Sequence, residues 1–194
     1  PVEDLKKAYD AGQRIFGENK VQELREKQPQ LPNDIEWHMI GHMQSNKVKY
    51  IAPYISLIHG VESLKLLQEI NRQALKNNRV IKVLLQFHIA SESTKFGLQL
   101  KEAKEILDSD EFQKLQNIEI SGVMGMASFV ENKSQVRLEF TKLKSIFEDL
   151  KSNYFTSTES FSTISMGMSG DYQIAIEEGS NMIRVGSSIF GARN

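Results

Sequence analysis

With 194 residues the chain is long enough for one domain with a substantial core, and 40% hydrophobic against 25% charged residues is ordinary globular composition. A net charge of −1 argues against a general binder of nucleic acid or membrane surfaces, and the absence of cysteine excludes disulfides, thiolate metal sites and cysteine nucleophiles. No apolar run approaches membrane-spanning length and no signal peptide opens the sequence, so a cytoplasmic protein with neither nucleic-acid nor membrane partners is expected.

The first twelve residues read as a helix. Pro1 suits the first turn, Glu3 and Asp4 follow, and Gly12 stops it. Val2, Leu5 and Ala8 with Tyr9 form its apolar stripe. Arg14 to Gly17 is a short strand ending in Glu18-Asn19. A helix over about Lys20 to Lys27 is stopped near Pro29 and Pro32. Ile35 to Gly41 is the next strand, and a helix begins at about Asn46 with Val48 and Ile51 turned inward. Leu57 to Val61 is a strand. Ser63 caps a helix whose Leu64, Leu67, Ile70 and Ala74 share a face. Val80 to Ile89 is the most strand-like run of the chain. Helical segments fill roughly Lys101 to Gln116, and Ile118 to Met126 is a strand. The longest helix runs from about Ser134 to Asn153, with Val136, Phe140, Leu143, Phe147 and Leu150 on one face.

Two last strands lie in the stretch Ser162–Gly191. Each is a short apolar run that ends in a Gly/Ser cluster: Met166-Gly167-Met168-Ser169-Gly170, then Gly186-Ser187-Ser188. Such clusters expose backbone N–H groups and hydroxyls with little side-chain bulk, which suits a phosphate, although two ordinary strand-to-helix turns would look similar. Strands alternate with helices throughout, which argues for parallel βαβ units. About seven strands are counted, one short of a (β/α)8 barrel. A strand before Pro1 would complete the set. An open doubly wound sheet is the rival architecture, but Phe16-Gly17-Glu18-Asn19 is not a glycine-rich nucleotide fingerprint.

Alternation on the last strand places Met182, Arg184 and Gly186 on one side, and the β-branched Ile183 and Val185 suit the helix-facing side. Arg184 is thereby turned into the barrel. There it either balances an inward acid such as Glu36 or stands beside a ligand. His38, His42, His59 and His88 fall on strands or just beyond them. His38 and His42 are four apart on extended chain, roughly 13 Å, so hydrogen-bonded interior or mouth residues are expected rather than metal ligands. Lys95 follows a polar loop after a strand and is a candidate to reach a ligand. Met124 and Met126 read as core or pocket wall.

Several segments in this order resemble one family. Phe16-Gly17-Glu18-Asn19 with Val21-Gln22-Glu23, Trp37-His38-Met39-Ile40-Gly41-His42-Met43-Gln44-Ser45-Asn46-Lys47, Ser165-Met166-Gly167-Met168-Ser169 with Asp171, and Arg184-Val185-Gly186-Ser187 with Ile189-Phe190-Gly191 are similar to its motifs. It is the pyridoxal phosphate homeostasis protein family. The resemblance covers essentially residues 1–194. It implies a single (β/α)8 TIM barrel domain of the alanine racemase barrel type, binding pyridoxal 5′-phosphate (PLP) at its mouth to buffer and deliver it without robust catalysis. It also implies Ser165, Gly186 and Ser187 at the phosphate, Arg184 at the pyridine nitrogen, and Asn19, His38 and Met124 along the ring. No catalytic residue falls in these 194. The family's Schiff-base lysine sits near the end of a first strand, in a segment that would precede Pro1. Met43 and His88 depart from the family's usual leucine and asparagine. A monomer serving PLP-dependent apoenzymes is the expected form. A PLP-dependent amino-acid racemase, or a cofactor-free barrel enzyme for phosphorylated substrates, are the rival readings.

Overall fold

The computed structural model describes residues 1–92 and 96–191. Seven parallel strands form one sheet in strict chain order. They are β1 (Ile15–Glu18), β2 (Glu36–Met39), β3 (Leu57–Val61), β4 (Ile81–Phe87), β5 (Ile118–Gly125), β6 (Thr163–Met168) and β7 (Met182–Arg184). Sequential order with a helical crossover at each step is the pattern of a (β/α) barrel, not of a doubly wound sheet, whose order reverses part-way. β1 and β7 are the edge strands of this sheet.

The helices are α1 (Val2–Asp10), α2 (Val21–Lys27), α3 (Leu64–Lys76), α4 (Leu100–Leu107), α5 (Asp110–Gln113), α6 (Lys133–Asn153), α7 (Tyr172–Glu177) and α8 (Ser187–Phe190). Ser63 caps α3 as expected, its hydroxyl accepting from the Leu66 amide at 3.2 Å. One helical expectation is revised. Ser45–Tyr50 is a 3-10 helix without a side-chain cap, and Pro53 shortly after prevents its extension. The segment around Lys101–Gln116 is two helices, because Ser109 starts a new one: its hydroxyl accepts from the Phe112 amide while donating to the Ile106 carbonyl.

Two apolar regions follow from strand alternation. The larger lies between sheet and helices. Phe16 and Trp37, adjacent on β1 and β2, meet there at 6.1 Å between ring centroids. On α6, Val136, Phe140, Leu143 and Leu150 are buried as the periodicity requires, and burial of a side chain such as Phe140 contributes about 1.5–3 kcal/mol. Phe147 is only partly buried and stacks on Phe161 at 5.0 Å. The smaller region is the barrel interior: Leu57, Leu84 and Met124, with Met126 and Met182 against them. Met182 thus faces inward and Ile183 outward, as alternation demands. Gly167, at φ +95°, lets α7 close onto β6; a Cβ there would stand 2.6 Å from the Ala175 Cβ.

Candidate functional site at the mouth of the barrel

The C-terminal ends of parallel strands define the mouth, and β6 and β7 bring Ser165 and Arg184 together there. Arg184 on β7 points inward and is half-buried. Its Nη1 donates to Ser165 Oγ on β6 at 2.6 Å, and its Nη2 donates to the Gly125 carbonyl at the end of β5 at 3.1 Å. Glu36, the acid considered as its partner, is exposed on β2. Burial pulls the guanidinium down to about 10, and the charge of Asp171 acts in the opposite direction. Arg184 therefore remains a cation, anchored by a hydroxyl and a carbonyl that carry no charge.

Ser165 is fully buried, and its hydroxyl also meets His59 Nδ1 at 3.0 Å. His59 Nε2 in turn meets His38 Nδ1 at 3.0 Å. Burial lowers His38 to about 4 and, with the neighbouring His38 and Arg184, holds His59 well below its ordinary value. Both imidazoles are neutral at pH 7. Four side chains from β7, β6, β3 and β2 thus form one hydrogen-bonded line across the interior.

Beyond β6 and β7 the loops form a cup. Ser169 Oγ accepts from the Gly186 amide at 3.1 Å and from the Ser188 amide at 3.4 Å. Asp171 Oδ1 holds the loop by accepting from the Met168 amide at 2.6 Å. A cavity of about 330 Å³ opens beside these groups, lined by Ser169, Gly170, Asp171, Tyr172 and Ser188 with Lys133 of α6. A Cβ on Gly170 or Gly186 would meet nothing within 4 Å, so the cup is open in front of both.

The other candidates fall around this centre. Met124 is buried in the interior cluster. Asn19, just past β1, is exposed and lines a second cavity of about 180 Å³ with Lys20, His42 and Lys47. Its carbonyl is packed against Gly41, where a Cβ would stand 2.3 Å from the oxygen. His42 faces Glu62 at 3.4 Å and stacks on Phe96 at 4.7 Å, and His88 Nε2 bonds the Glu92 carbonyl at 2.8 Å. Lys95 lies outside the described residues. Ser165, Arg184 and His38 are brought into one network, and Gly186 joins Ser169; Asn19 and Met124 belong to the surrounding wall.

His59, expected only as a hydrogen-bonded interior or mouth residue, links the network, and Ser169, quoted only within its Gly/Ser cluster, meets the amides. The inward parity of His59 beside Leu57 on β3 was the available signal for the first. For the second it was the Ser-Gly that closes the β6 motif.

The donor set fits a phosphorylated heteroaromatic ligand. Two amides converge on a single oxygen, where a phosphate oxygen would also be accepted. Two residues before Gly186, Arg184 is a cation whose hydrogen-bond partners among the described residues, Ser165 and the Gly125 carbonyl, carry no charge, so its donors suit a neutral ring nitrogen. Fold and site together define a (β/α) barrel with a cup of backbone amides and hydroxyls just past its last two strands.

The family "Alanine racemase, N-terminal domain" matches residues 2–194. A pyridoxal phosphate homeostasis protein of Aquifex aeolicus (strain VF5) is 37% identical over 194 residues, 100% of this chain and 83% of that protein. The protein of the same name in Escherichia coli (strain K12) is 34% identical over 199 residues, covering 100% and 82%. Among solved structures, PipY of Synechococcus elongatus PCC7942 with PLP bound has a TM-score of 0.87 at 32% identity, covering 98% of this chain and 88% of that one. An alanine racemase of Clostridium difficile 630 has a TM-score of 0.75 at 17% identity, covering 99% and 51%, and shares the fold. The chain belongs to the alanine racemase N-terminal domain family, on the branch of the pyridoxal phosphate homeostasis proteins.

Proposed function

We propose that this chain binds pyridoxal 5′-phosphate at the mouth of its barrel and serves PLP homeostasis as a cytoplasmic, monomeric carrier for PLP-dependent apoenzymes. The observation that carries the reading is the cup itself: the Gly186 and Ser188 amides converge on one oxygen, next to an inward-facing arginine. In this reading the amides of Gly186, Ser187 and Ser188 hold the phosphate, with the Ser169 hydroxyl beside them. Arg184 donates to the ring nitrogen. Ser165, expected from the resemblance at the phosphate, is instead fully buried and hydrogen-bonded to Arg184 and His59, and in this reading it fixes the guanidinium from below. His38, Asn19 and Met124 wall the ring. PLP supplies an electron sink through its pyridine ring, and a cation at the ring nitrogen keeps that nitrogen unprotonated and the sink weak, which suits carriage.

The homeostasis reading is favoured over a racemase because the full-length relatives above 30% identity carry the former name. The likeness to alanine racemase, at 17% identity, speaks to fold. No helix among the described residues is long and apolar enough to cross a membrane.

Equilibrium dialysis against PLP and against pyridoxal tests the site. Retention of PLP at least about tenfold tighter than pyridoxal is expected, since only PLP presents the phosphate to the cup. Equal retention of the two would remove the cup from the site. Purified protein should also leave L-alanine unracemised, and clear turnover would restore the racemase reading.

A further inference from the structure

The line from Arg184 to His38 has a direction. A guanidinium can only donate, so Ser165 Oγ is the acceptor in the 2.6 Å contact. Ser165 is fully buried, and its own proton needs an acceptor. His59 Nδ1, at 3.0 Å, provides one. His59 Nδ1 is then unprotonated, its proton sits on Nε2, and Nε2–H donates to His38 Nδ1 at 3.0 Å. The reverse tautomer would have Ser165 accept from both neighbours and leave its buried hydroxyl proton without this acceptor, a costly arrangement. Each donor therefore points away from Arg184, from β7 toward β2.

We propose that His59, acting through Ser165 and completed by His38, is a positioning residue for Arg184. The chain of neutral acceptors orients the guanidinium toward the ligand's ring nitrogen without cancelling its charge. A carboxylate in the place of Ser165 would hold the arginine as firmly but neutralise it, and the donor facing the ligand would weaken. Burial of both imidazoles supports this arrangement by keeping them uncharged beside the cation. The inference rests on the reading of Arg184 as the residue that meets the PLP ring.

Two measurements on the whole chain test it. Nitrogen-15 correlation spectra of the histidine rings, recorded without ligand, should give His59 as the Nε2–H tautomer. An Nδ1–H tautomer or a doubly protonated ring would overturn the proposal. PLP affinity, by equilibrium dialysis with PLP as probe, should then separate two variants. His59→Asn retains an oxygen near the position of Nδ1 and should bind within about threefold of wild type. His59→Leu removes the acceptor and should bind about tenfold more weakly, the equivalent of about 1.4 kcal/mol, with a changed absorption of the bound PLP. Equal loss in both variants, or none in either, would reduce His59 to packing. If His59→Leu does not fold, the wild-type tautomer and the Asn variant decide. A wild-type chain that shows the expected tautomer but does not retain PLP would refute the functional reading and the positioning role with it, while leaving the hydrogen-bond direction intact.

Discussion

Arg184 on β7 donates to Ser165 Oγ on β6 at 2.6 Å, and this contact joins the barrel interior to the mouth. It ties the cation to a hydroxyl that is itself held by His59. Replacing Arg184 with Ala leaves Ser165 and the Gly125 carbonyl without that donor, which costs about 1–3 kcal/mol of stability. Arg184→Lys keeps the charge but loses the two-pronged geometry. Both variants should weaken PLP retention by at least about tenfold, roughly the worth of one charge-assisted hydrogen bond. Dialysis with a parallel thermal melt checks this. A lowered melting temperature with unchanged affinity per folded molecule would make Arg184 purely structural.

Ser169 tests the cup separately. Its hydroxyl accepts from Gly186 and Ser188 in an open loop, so Ser169→Ala should change stability by no more than about 0.5 kcal/mol. PLP affinity should fall several-fold while pyridoxal affinity stays constant. A parallel loss for both ligands would place the phosphate elsewhere.

Much of this was legible in the sequence, for physical reasons that differ from residue to residue. The run Ile81–Phe87 announces itself because a strand covered on both faces is largely apolar, and here all but Lys82 are buried. Arg184 could be turned inward from alternation alone, since Ile183 and Val185 claim the other side. The pairing of His59 with His38 and Ser165 was not legible. It depends on how neighbouring strands are staggered, and the β3–β4 register shifts between Ile58 and Val61, on either side of His59. Glu139 was equally hidden. It sits on the buried face of α6, and its partners Ser91 and Ser128 come from two loops distant in sequence.

Those partners give Glu139 a pH signature. Its carboxylate accepts from the Ser128 amide at 2.6 Å, the Ser128 hydroxyl at 2.8 Å and the Ser91 amide at 3.0 Å. Burial pushes the carboxyl up, but these bonds together with Gln135 outweigh it and hold the group below its ordinary value. A lowered folded value means the contribution is complete above the unfolded value of about 4.3 and fades as pH falls through the folded one. Glu139→Gln should cost about 1–3 kcal/mol at pH 7 and flatten the acid limb of the stability curve below about pH 4.3. Urea unfolding across pH 3–7 reads both, and an unchanged acid limb would contradict the role.

The buried histidines act at higher pH. An unfolded His38 takes up a proton near pH 6.5, and the folded one not until about 4. The unfolded state binds more protons in this window, so His38 alone should lower stability by about 3 kcal/mol as pH falls from 6.5 to 4, with His59 adding a drop in the same window. His38→Gln should remove the His38 share of the slope and leave that of His59. A slope unchanged in the variant would contradict the role of His38.

The most direct measurement is the map of amide shifts when isotopically labelled protein is titrated with PLP and, separately, with inorganic phosphate. The expected result is that both ligands move Gly186, Ser187 and Ser188, and that PLP alone also moves the Arg184 side chain. PLP shifts confined to the second cavity around Lys20 and Lys47, with Gly186 to Ser188 unmoved, would contradict the assignment of the cup and of Arg184 to the cofactor.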